Sequence, residues 1–200
     1  MTFWSRHAFV LLSPDTLRRG LQTAVVERLA REGFAPVAGR VVQADPEMID
    51  DLYADVIAGQ WQTWRYRLVD DLFSSGPCLA LLCRFDREGG HAALARRKGH
   101  QHPHLAEPGT IRSDFRAVNS ILGLIHSADG PEESRREAAV FGLSEQDATG
   151  GDALALMCAL SGSALPERRG FDDVLAGVRG RVLLAALHDL PAGLADRLRT

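Results

Sequence analysis

The stretch CLALLCRF, residues 78–85, restricts the fold of this chain more than any other feature of its sequence. It is an apolar run bounded by a Ser-Ser-Gly-Pro turn on one side and by Asp86 on the other. A strand with one face in water alternates polar and apolar residues, whereas a continuous apolar run is typical of a strand covered on both faces. We therefore predict a buried strand here, with Cys78 and Cys83 as buried thiols.

Strand-like and helical segments alternate around this run. Apolar strands are predicted at 7–12 and 35–44, and a further apolar stretch at 121–125 ends at His126. Helical spacing and capping residues predict helices in the segments between them, at 16–33, 45–59, 61–74, 86–99 and 131–141. Two βαβ-like halves around an apolar sheet predict an α+β fold, a ferredoxin-like α/β sandwich with a four-stranded antiparallel sheet.

The composition changes after Leu143. Residues 144–200 are rich in glycine and alanine and contain a few helical patches. We therefore divide the chain into a domain at 1–143 and a C-terminal helical extension at 144–200. We interpret the extension as an appendage without chemistry of its own, packed on the core or on a neighbouring subunit.

Charge and composition exclude several classes of function. The net charge is −3, so no overall positive field attracts nucleic acid. No apolar stretch approaches the roughly 18 residues that suggest a membrane-spanning helix. The three cysteines are odd in number and lack the spacing of metal ligands, which favours a reducing compartment. We expect a soluble cytoplasmic protein without nucleic-acid or membrane partners.

One histidine, His126, stands between the apolar stretch and the acidic start of the last predicted helix. Glu137 lies within that helix. A histidine nitrogen can accept a phosphoryl group when a carboxylate or carbonyl holds the other ring nitrogen. From spacing alone, a packed structural histidine and a nucleophile both remain open.

The segment PGTIRSDF, residues 108–115, ends a long polar loop beside the histidine segment. Its Pro-Gly pair sets a turn, from which Thr110 and Arg112 project. The guanidinium of Arg112 offers a fork of donors suited to phosphate, although an exposed loop arginine is usually only solvated.

Taken together, these segments resemble the nucleoside diphosphate kinase family. The matching pieces occur in the family's order: FVLLSPDTLRRGL, VVERLAREGFAPVAGRVVQA, LYAD, SSGPCLALL, PGTIRSDF and IHSADGPEESRREAAVF. The resemblance implies a ping-pong transfer of the γ-phosphate of a nucleoside triphosphate, through a phosphohistidine, to a nucleoside diphosphate. It also implies that Mg²⁺ arrives on the nucleotide phosphates and that the protein forms a homo-oligomer.

The resemblance assigns roles to individual residues. His126 would be the phosphorylated histidine, and Glu137 would orient its ring and support its charge. Arg112 would clamp phosphate, and Tyr53 would line the phosphate pocket. Asp129 matches the family's aspartate in the turn after the histidine.

Two departures from the family pattern concern groups that polarise the nucleotide. Ser13 replaces the lysine of a Lys-Pro-Asp motif, whose charge would sit on the transferring phosphoryl group. Loss of one such preorganised donor typically costs about 10²–10³ in rate. The chain has a single lysine, Lys98, so we expect no nearby lysine to compensate. Gly123 stands where the family has asparagine.

Further departures lie in the segment before the polar loop. Ala95 occupies the expected position of a phosphate-binding arginine, so Arg96, or else Arg97, is the predicted replacement at a shifted register. Gln101 and His102 precede a proline where the family usually has Thr-Asn-Pro.

The segment between Tyr53 and Ser74 is longer than in the family. This difference affects the aromatic residue that would stack on the base. We predict Trp64 for that role, with Trp61 as the rival.

His100, His102 and His104 alternate along the sequence and could share one face of a strand as metal ligands. Pro103 interrupts the run, and no cysteine or carboxylate completes the set. We therefore predict a solvated loop and no metal bound by the protein.

Three functions remain open on the sequence. The first is a divergent nucleoside diphosphate kinase that acts through His126. The second is the same fold re-purposed for another nucleotide-like or small-molecule substrate of specialised metabolism. The third is a non-catalytic nucleotide-binding or scaffold protein. The retained set of His126, Glu137 and Arg112 exceeds what a fold needs, which favours an enzyme.

Overall fold

The computed structural model describes residues 2–54 and 63–149, together with the single positions 176 and 180. Its strands are β1 (His7–Leu12), β2 (Ala35–Val42), β3 (Cys78–Arg84) and β4 (Ile125–Ser127). Its α-helices are α1 (Pro14–Arg18), α2 (Gln22–Arg31), α3 (Pro46–Leu52), α4 (Thr63–Ser74), α5 (Gly90–Lys98), α6 (Ile111–Asp114) and α7 (Pro131–Val140). Short 3-10 turns lie at Phe3–Ser5, Pro103–Leu105 and Glu145–Thr149. Within these ranges no helix is long and apolar enough to cross a bilayer.

The four strands form one antiparallel sheet in the order β2-β3-β1-β4. The register of the central pair runs from His7 opposite Arg84 to Leu12 opposite Leu79. Helices connect β1 to β2 and β3 to β4, so each half of the domain is a βαβ unit. The predicted ferredoxin-like α/β sandwich is confirmed.

The predicted buried strand is β3, which lies in the interior of the sheet. Alternate residues of β3 enter two different apolar clusters, one on each face: Cys78, Ala80 and Leu82 in the first, and Leu79, Leu81 and Cys83 in the second. Both thiols are fully buried, as predicted, and burial raises the pKa of each to about 12. They are therefore protonated and unreactive at neutral pH.

Two local predictions were wrong. The helix predicted over 16–33 is divided into α1 and α2, because the chain turns at Gly20 with a φ of +67°. The strand predicted over 121–125 is displaced to β4, because the chain bends before Ile125 and Leu124 adopts a φ of +68° that an extended strand does not allow. His126 consequently lies at the centre of a strand and not beyond its end.

The helix predicted at 45–59 and the extension predicted at 144–200 lie partly outside the described residues. Of the helix predicted over 45–59, the described part is α3, which ends at Leu52. Of the extension at 144–200, the structure describes only 144–149 and the two single positions. The domain boundary at 143 stays a prediction.

A buried serine attaches α7 to the sheet. The Ser134 hydroxyl accepts a hydrogen bond from the backbone N–H of Phe9 in β1, at 3.2 Å. The Nε2 atom of His91 lies 3.1 Å from the same oxygen, and Ser134 has no exposed surface. Glu137 follows three residues later on α7, so this contact helps to set its distance from the sheet.

We expect Ser134→Ala to destabilise the domain by about 1–3 kcal/mol, because the N–H of Phe9 loses its acceptor without gaining water. Chemical denaturation of both proteins measures the difference. Ser74→Ala is the control, since Ser74 is exposed and bonds only the Asp71 carbonyl of its own helix. Equal stability of the two variants would contradict the assigned role of Ser134.

Candidate active site

A cavity of about 550 Å³ lies beside β4. Its polar lining comes from separate elements, with Tyr53 after α3, Lys98 at the end of α5, Arg112 on α6, His126 on β4 and Glu137 on α7. A cavity of this size with convergent polar groups is typical of a small-molecule site.

His126 and Glu137 form the central pair of this cavity. The Nε2 atom of His126 lies 2.7 Å from Oε2 of Glu137, and the two side chains are 26% and 6% exposed. A carboxylate is only an acceptor, so Nε2 carries the proton and Nδ1 holds the free electron pair. Among the described residues Nδ1 has no hydrogen-bond partner, which leaves it available to a reacting group.

The second oxygen of Glu137 is held by the neighbouring residue. Oε1 lies 3.6 Å from Nη2 of Arg136, whose Nη1 donates to the Asp51 carbonyl at the end of α3. Both carboxylate oxygens therefore have a cationic or hydrogen-bonding partner. This arrangement limits rotation of Glu137 and so fixes the plane of the His126 ring.

Tyr53 packs against the edge of the histidine. The ring centroids of Tyr53 and His126 are 5.9 Å apart at an interplanar angle of 75°. Burial, and then the charge of Glu137, raises the pKa of the Tyr53 hydroxyl to about 12. The hydroxyl is therefore neutral at physiological pH and can donate a hydrogen bond to an anion in the cavity.

Arg112 joins three parts of the cavity wall. Its Nε donates to the Gly123 carbonyl at 3.1 Å, its Nη1 to Gly99 at 3.0 Å and its Nη2 to Ile125 at 2.8 Å. Burial lowers its pKa, but an arginine remains charged throughout the physiological range. Each terminal nitrogen keeps a second N–H, so the side chain can hold the wall and still donate to a ligand.

The segment before His126 is a tight turn with an unusual backbone conformation. The Ile125 N–H donates to the Gly123 carbonyl at 2.8 Å, and Leu124 between them has a φ of +68°. A buried leucine in this region is strained and needs surrounding contacts to hold it. Its carbonyl accepts from Ser13 N and Thr16 Oγ1, and its N–H donates to Asp15 Oδ2.

Ser13 lies in the wall of the cavity, and its hydroxyl donates to a buried carboxylate of the protein. Its Oγ donates to Asp15 Oδ1 at 2.6 Å, and only 7% of the residue is exposed. Burial raises the pKa of the Asp15 carboxyl, and the serine bond partly opposes this shift. No charge reaches the cavity from position 13.

The cavity nevertheless contains a lysine, contrary to the expectation from the sequence. The Nζ atom of Lys98 donates to the backbone carbonyl of Ser127, the residue after His126, at 3.3 Å. Burial, and then the charge of Arg112, lowers its pKa to about 8, while Asp129 and Glu137 act in the opposite direction. Helical spacing in the sequence could have indicated this position. Lys98 stands one turn after Ala95, where the phosphate-binding arginine is expected, and so shares its face of α5.

The predicted replacement arginines lie elsewhere. Arg96 is exposed and is not among the residues that line the cavity. Arg97 is paired with Glu32 at 3.3 Å. Arg96 therefore does not contribute a phosphate-binding group to this cavity, because the helix directs its side chain into solvent.

The remaining predicted residues have the following positions. Asp129, Gln101 and His102 line the cavity. Trp64 lies in α4, but its side chain is outside the described residues, and so is the whole of Trp61.

The three alternating histidines lie in the loop around Pro103–Leu105 and not on a strand. Their rings follow one another at centroid distances of 5.4 and 5.9 Å. Over the described ranges, the structure has no group of three or more His, Cys, Asp or Glu side chains suited to a metal ion.

A protein-family model described as nucleoside diphosphate kinase matches residues 6–146. This chain belongs to the nucleoside diphosphate kinase family. The nucleoside diphosphate kinase of Listeria monocytogenes serotype 4b is 33% identical over 133 residues, which are 66% of this chain and 86% of that relative. That of Symbiobacterium thermophilum is 34% identical over 132 residues, 65% of this chain and 82% of the relative.

Solved structures of nucleoside diphosphate kinases share the fold. The Borrelia burgdorferi enzyme, described as a transition state mimic with bound vanadate and ADP, has a TM-score of 0.64 at 23% identity and covers 74% of this chain and 92% of its own. The family protein from Babesia bovis has a TM-score of 0.60 at 20% identity, and the match covers 71% of this chain and 90% of that protein. The predicted family is therefore confirmed.

We expect Arg112→Lys to destabilise this kinase-family domain by about 2–4 kcal/mol, because the single nitrogen of an ammonium cannot replace three separate guanidinium nitrogens and leaves buried acceptors unpaired. Urea denaturation checks the change. Arg135→Lys is the matched control, since Arg135 is 64% exposed and contacts Glu132 only at 3.4 Å. Equal midpoints for the two variants would contradict the structural role of Arg112.

We expect Lys98→Met to stabilise the protein at pH 7. The folded pKa of Lys98, about 8, lies below the ordinary 10.5, so the folded state disfavours the charged form. At about 1.4 kcal/mol per pK unit, removal of the charge should gain up to about 3 kcal/mol. The gain should shrink as pH rises from 8 towards 10.5, because the folded wild type then loses its proton first.

Thermal unfolding of both proteins between pH 6.5 and 10 measures this effect. Arg96→Met removes an equal charge from the exposed side of the same helix and should change stability by less than about 0.5 kcal/mol. A Lys98→Met variant less stable than wild type at pH 7 would show that the ammonium is not disfavoured by its surroundings.

Proposed function

We propose that this protein is a nucleoside diphosphate kinase-like phosphotransferase that acts through a phosphohistidine at His126. The γ-phosphoryl group of a nucleoside triphosphate moves to the histidine in the first half-reaction. A nucleoside diphosphate takes the group in the second. Family membership supports the reaction class, and the cavity beside β4 supports the choice of residues.

The hydrogen bond between His126 and Glu137 carries this proposal. With Nε2 as donor to Glu137, the electron pair on Nδ1 attacks the γ-phosphorus, and the bond to the bridging oxygen breaks. The electron pair of that bond leaves with the nucleoside diphosphate. The phosphorylated ring is more positive than the free ring, and the nearby carboxylate stabilises that charge. Attack by the acceptor's terminal phosphate oxygen then breaks the N–P bond and restores the histidine.

The other cavity residues support binding of phosphate. The remaining N–H groups of Arg112 and the neutral hydroxyl of Tyr53 are donors to phosphate oxygens. Mg²⁺ would enter as part of the substrate, on the nucleotide phosphates, and Asp129, which lines the same cavity, is the carboxylate that would face it. The resemblance further supports a homo-oligomer, which we propose on that ground alone.

A second candidate is favoured by the composition of the cavity wall. Ser13 presents no free donor to the cavity, and Gly123 has no side chain where the family has asparagine. The same phosphohistidine would then serve a nucleotide-like acceptor other than a common diphosphate. A non-catalytic scaffold on this fold is the third possibility, and an absence of label on wild type would favour it.

Incubation with γ-labelled ATP and Mg²⁺ tests the proposal. Wild type should form an acid-labile, base-stable label, and His126→Ala should lose it by more than about 10³-fold because the nucleophile is absent. Glu137→Gln should label more slowly, since a neutral amide cannot stabilise the charged ring. Chase with a panel of nucleoside diphosphates then separates the first candidate from the second.

His104→Ala is the matched control for these variants, because His104 is an exposed histidine outside the cavity lining and should label like wild type. Equal labelling of wild type and His126→Ala would overturn the assignment of the nucleophile. No label on wild type would overturn the phosphotransferase itself.

A further inference from the structure

The positive charge in the cavity does not come from position 13, where the family pattern has a lysine. Position 13 holds a serine whose hydroxyl is committed to Asp15, so the turn between β1 and α1 contributes no cation. The ammonium of Lys98 enters the same cavity from a different element, at the end of α5. Ser13, Lys98 and His126 all line this one space.

The position of Lys98 is set by its neighbours. Its ammonium is held on the Ser127 carbonyl, adjacent in sequence to the proposed nucleophile. The next residue, Gly99, has a φ of +91°, and its carbonyl accepts from Arg112. A side chain at Gly99 would meet Thr110 Oγ1 at 2.6 Å, so the glycine lets the end of α5 approach α6 closely.

Among the described residues the ammonium also lacks the direct ion pair that a structural lysine would have, although Asp129 and Glu137 act on it from a greater distance. Among the described residues no carboxylate lies within ion-pair distance of Lys98, and its one hydrogen bond is to a backbone carbonyl. A mostly buried cation beside another cation, Arg112, is unfavourable unless an anion occupies the site. The remaining N–H donors of Lys98 are therefore suited to a phosphate group.

We propose that Lys98 contacts the transferring phosphoryl group and supplies the positive charge that the family pattern places at position 13. This inference rests on the proposed phosphotransfer at His126. The catalytic cation is relocated from the turn after β1 to the end of α5. A neutral residue at position 13 then avoids adding a further cation to a cavity that already holds Lys98 and Arg112.

Single-turnover labelling by γ-labelled ATP tests the relocation. Lys98→Met should slow formation of the phosphohistidine by about 10²-fold or more, the typical effect of removing one preorganised donor. Arg96→Met, which removes a charge from the same helix outside the cavity, should label at the wild-type rate. The double variant Ser13→Lys/Lys98→Met should recover at least about tenfold, because it returns the charge to the family's position.

The pH dependence of the labelling rate is a readout that a purely structural role of Lys98 would not change. The wild-type labelling rate should fall as pH rises through about 8, where Lys98 loses its proton, and Lys98→Arg should remain active at higher pH. Charged or titratable groups from the surrounding elements also face this site: Tyr53, His102, Arg112, His126, Asp129, Glu133, Arg136 and Glu137. Lys98→Arg leaves all of these in place, so its profile isolates the lysine.

Binding measurements separate this inference from the proposed function. In the unreactive His126→Ala background, Lys98→Met should weaken binding of Mg-ATP at least about tenfold and leave binding of Mg-ADP unchanged, since only ATP carries the γ-phosphate. Equal labelling by wild type and Lys98→Met, or equal changes in the affinities for ATP and ADP, would overturn the role of Lys98. If wild type does not label, the phosphotransfer proposal fails. The change in affinity for Mg-ATP relative to Mg-ADP still decides whether Lys98 contacts the γ-phosphate.

Discussion

The guanidinium of Arg112 is the contact on which the rest of the site depends. It bonds the carbonyls of Gly99, Gly123 and Ile125, which belong to the end of α5, the tight turn and the start of β4. These carbonyls adjoin or lie close to the lysine and the histidine of the cavity. One planar group with rigid donors thus helps to set the separation of His126 from Lys98, and a flexible lysine could not do so.

The site retains charged and strained groups that a core designed for stability would not contain. Arg112 and Lys98 have lowered pKa values, Asp15 has a raised one, and Leu124 has a positive φ. In each case burial disfavours the charge or the backbone disfavours the conformation, and neighbouring hydrogen bonds hold the group in place. The apolar clusters on the two faces of β3 supply the stability that offsets these costs.

Much of the fold could be predicted from the sequence because its determinants are local. The apolar run of β3 required cover on both faces, and the order of strands and helices restricted the sheet to a few topologies. The displaced strand at Ile125–Ser127 could not be predicted, because Leu124 is held at its positive φ by Asp15, Thr16 and Ser13 from a distant segment. Apolar periodicity carries no information about such a contact.

The sequence by itself determined the family, the sandwich fold and the presence of His126, Glu137, Arg112 and Tyr53, because motif identity and apolar pattern are written in consecutive residues. Only the tertiary structure decided which ring nitrogen of His126 is bonded and which remains free. It also decided that Lys98, and not Arg96, enters the cavity with Ser13. The physical reason is that side chains two positions apart on a helix point in different directions, and the direction that faces a cavity depends on how the helix packs.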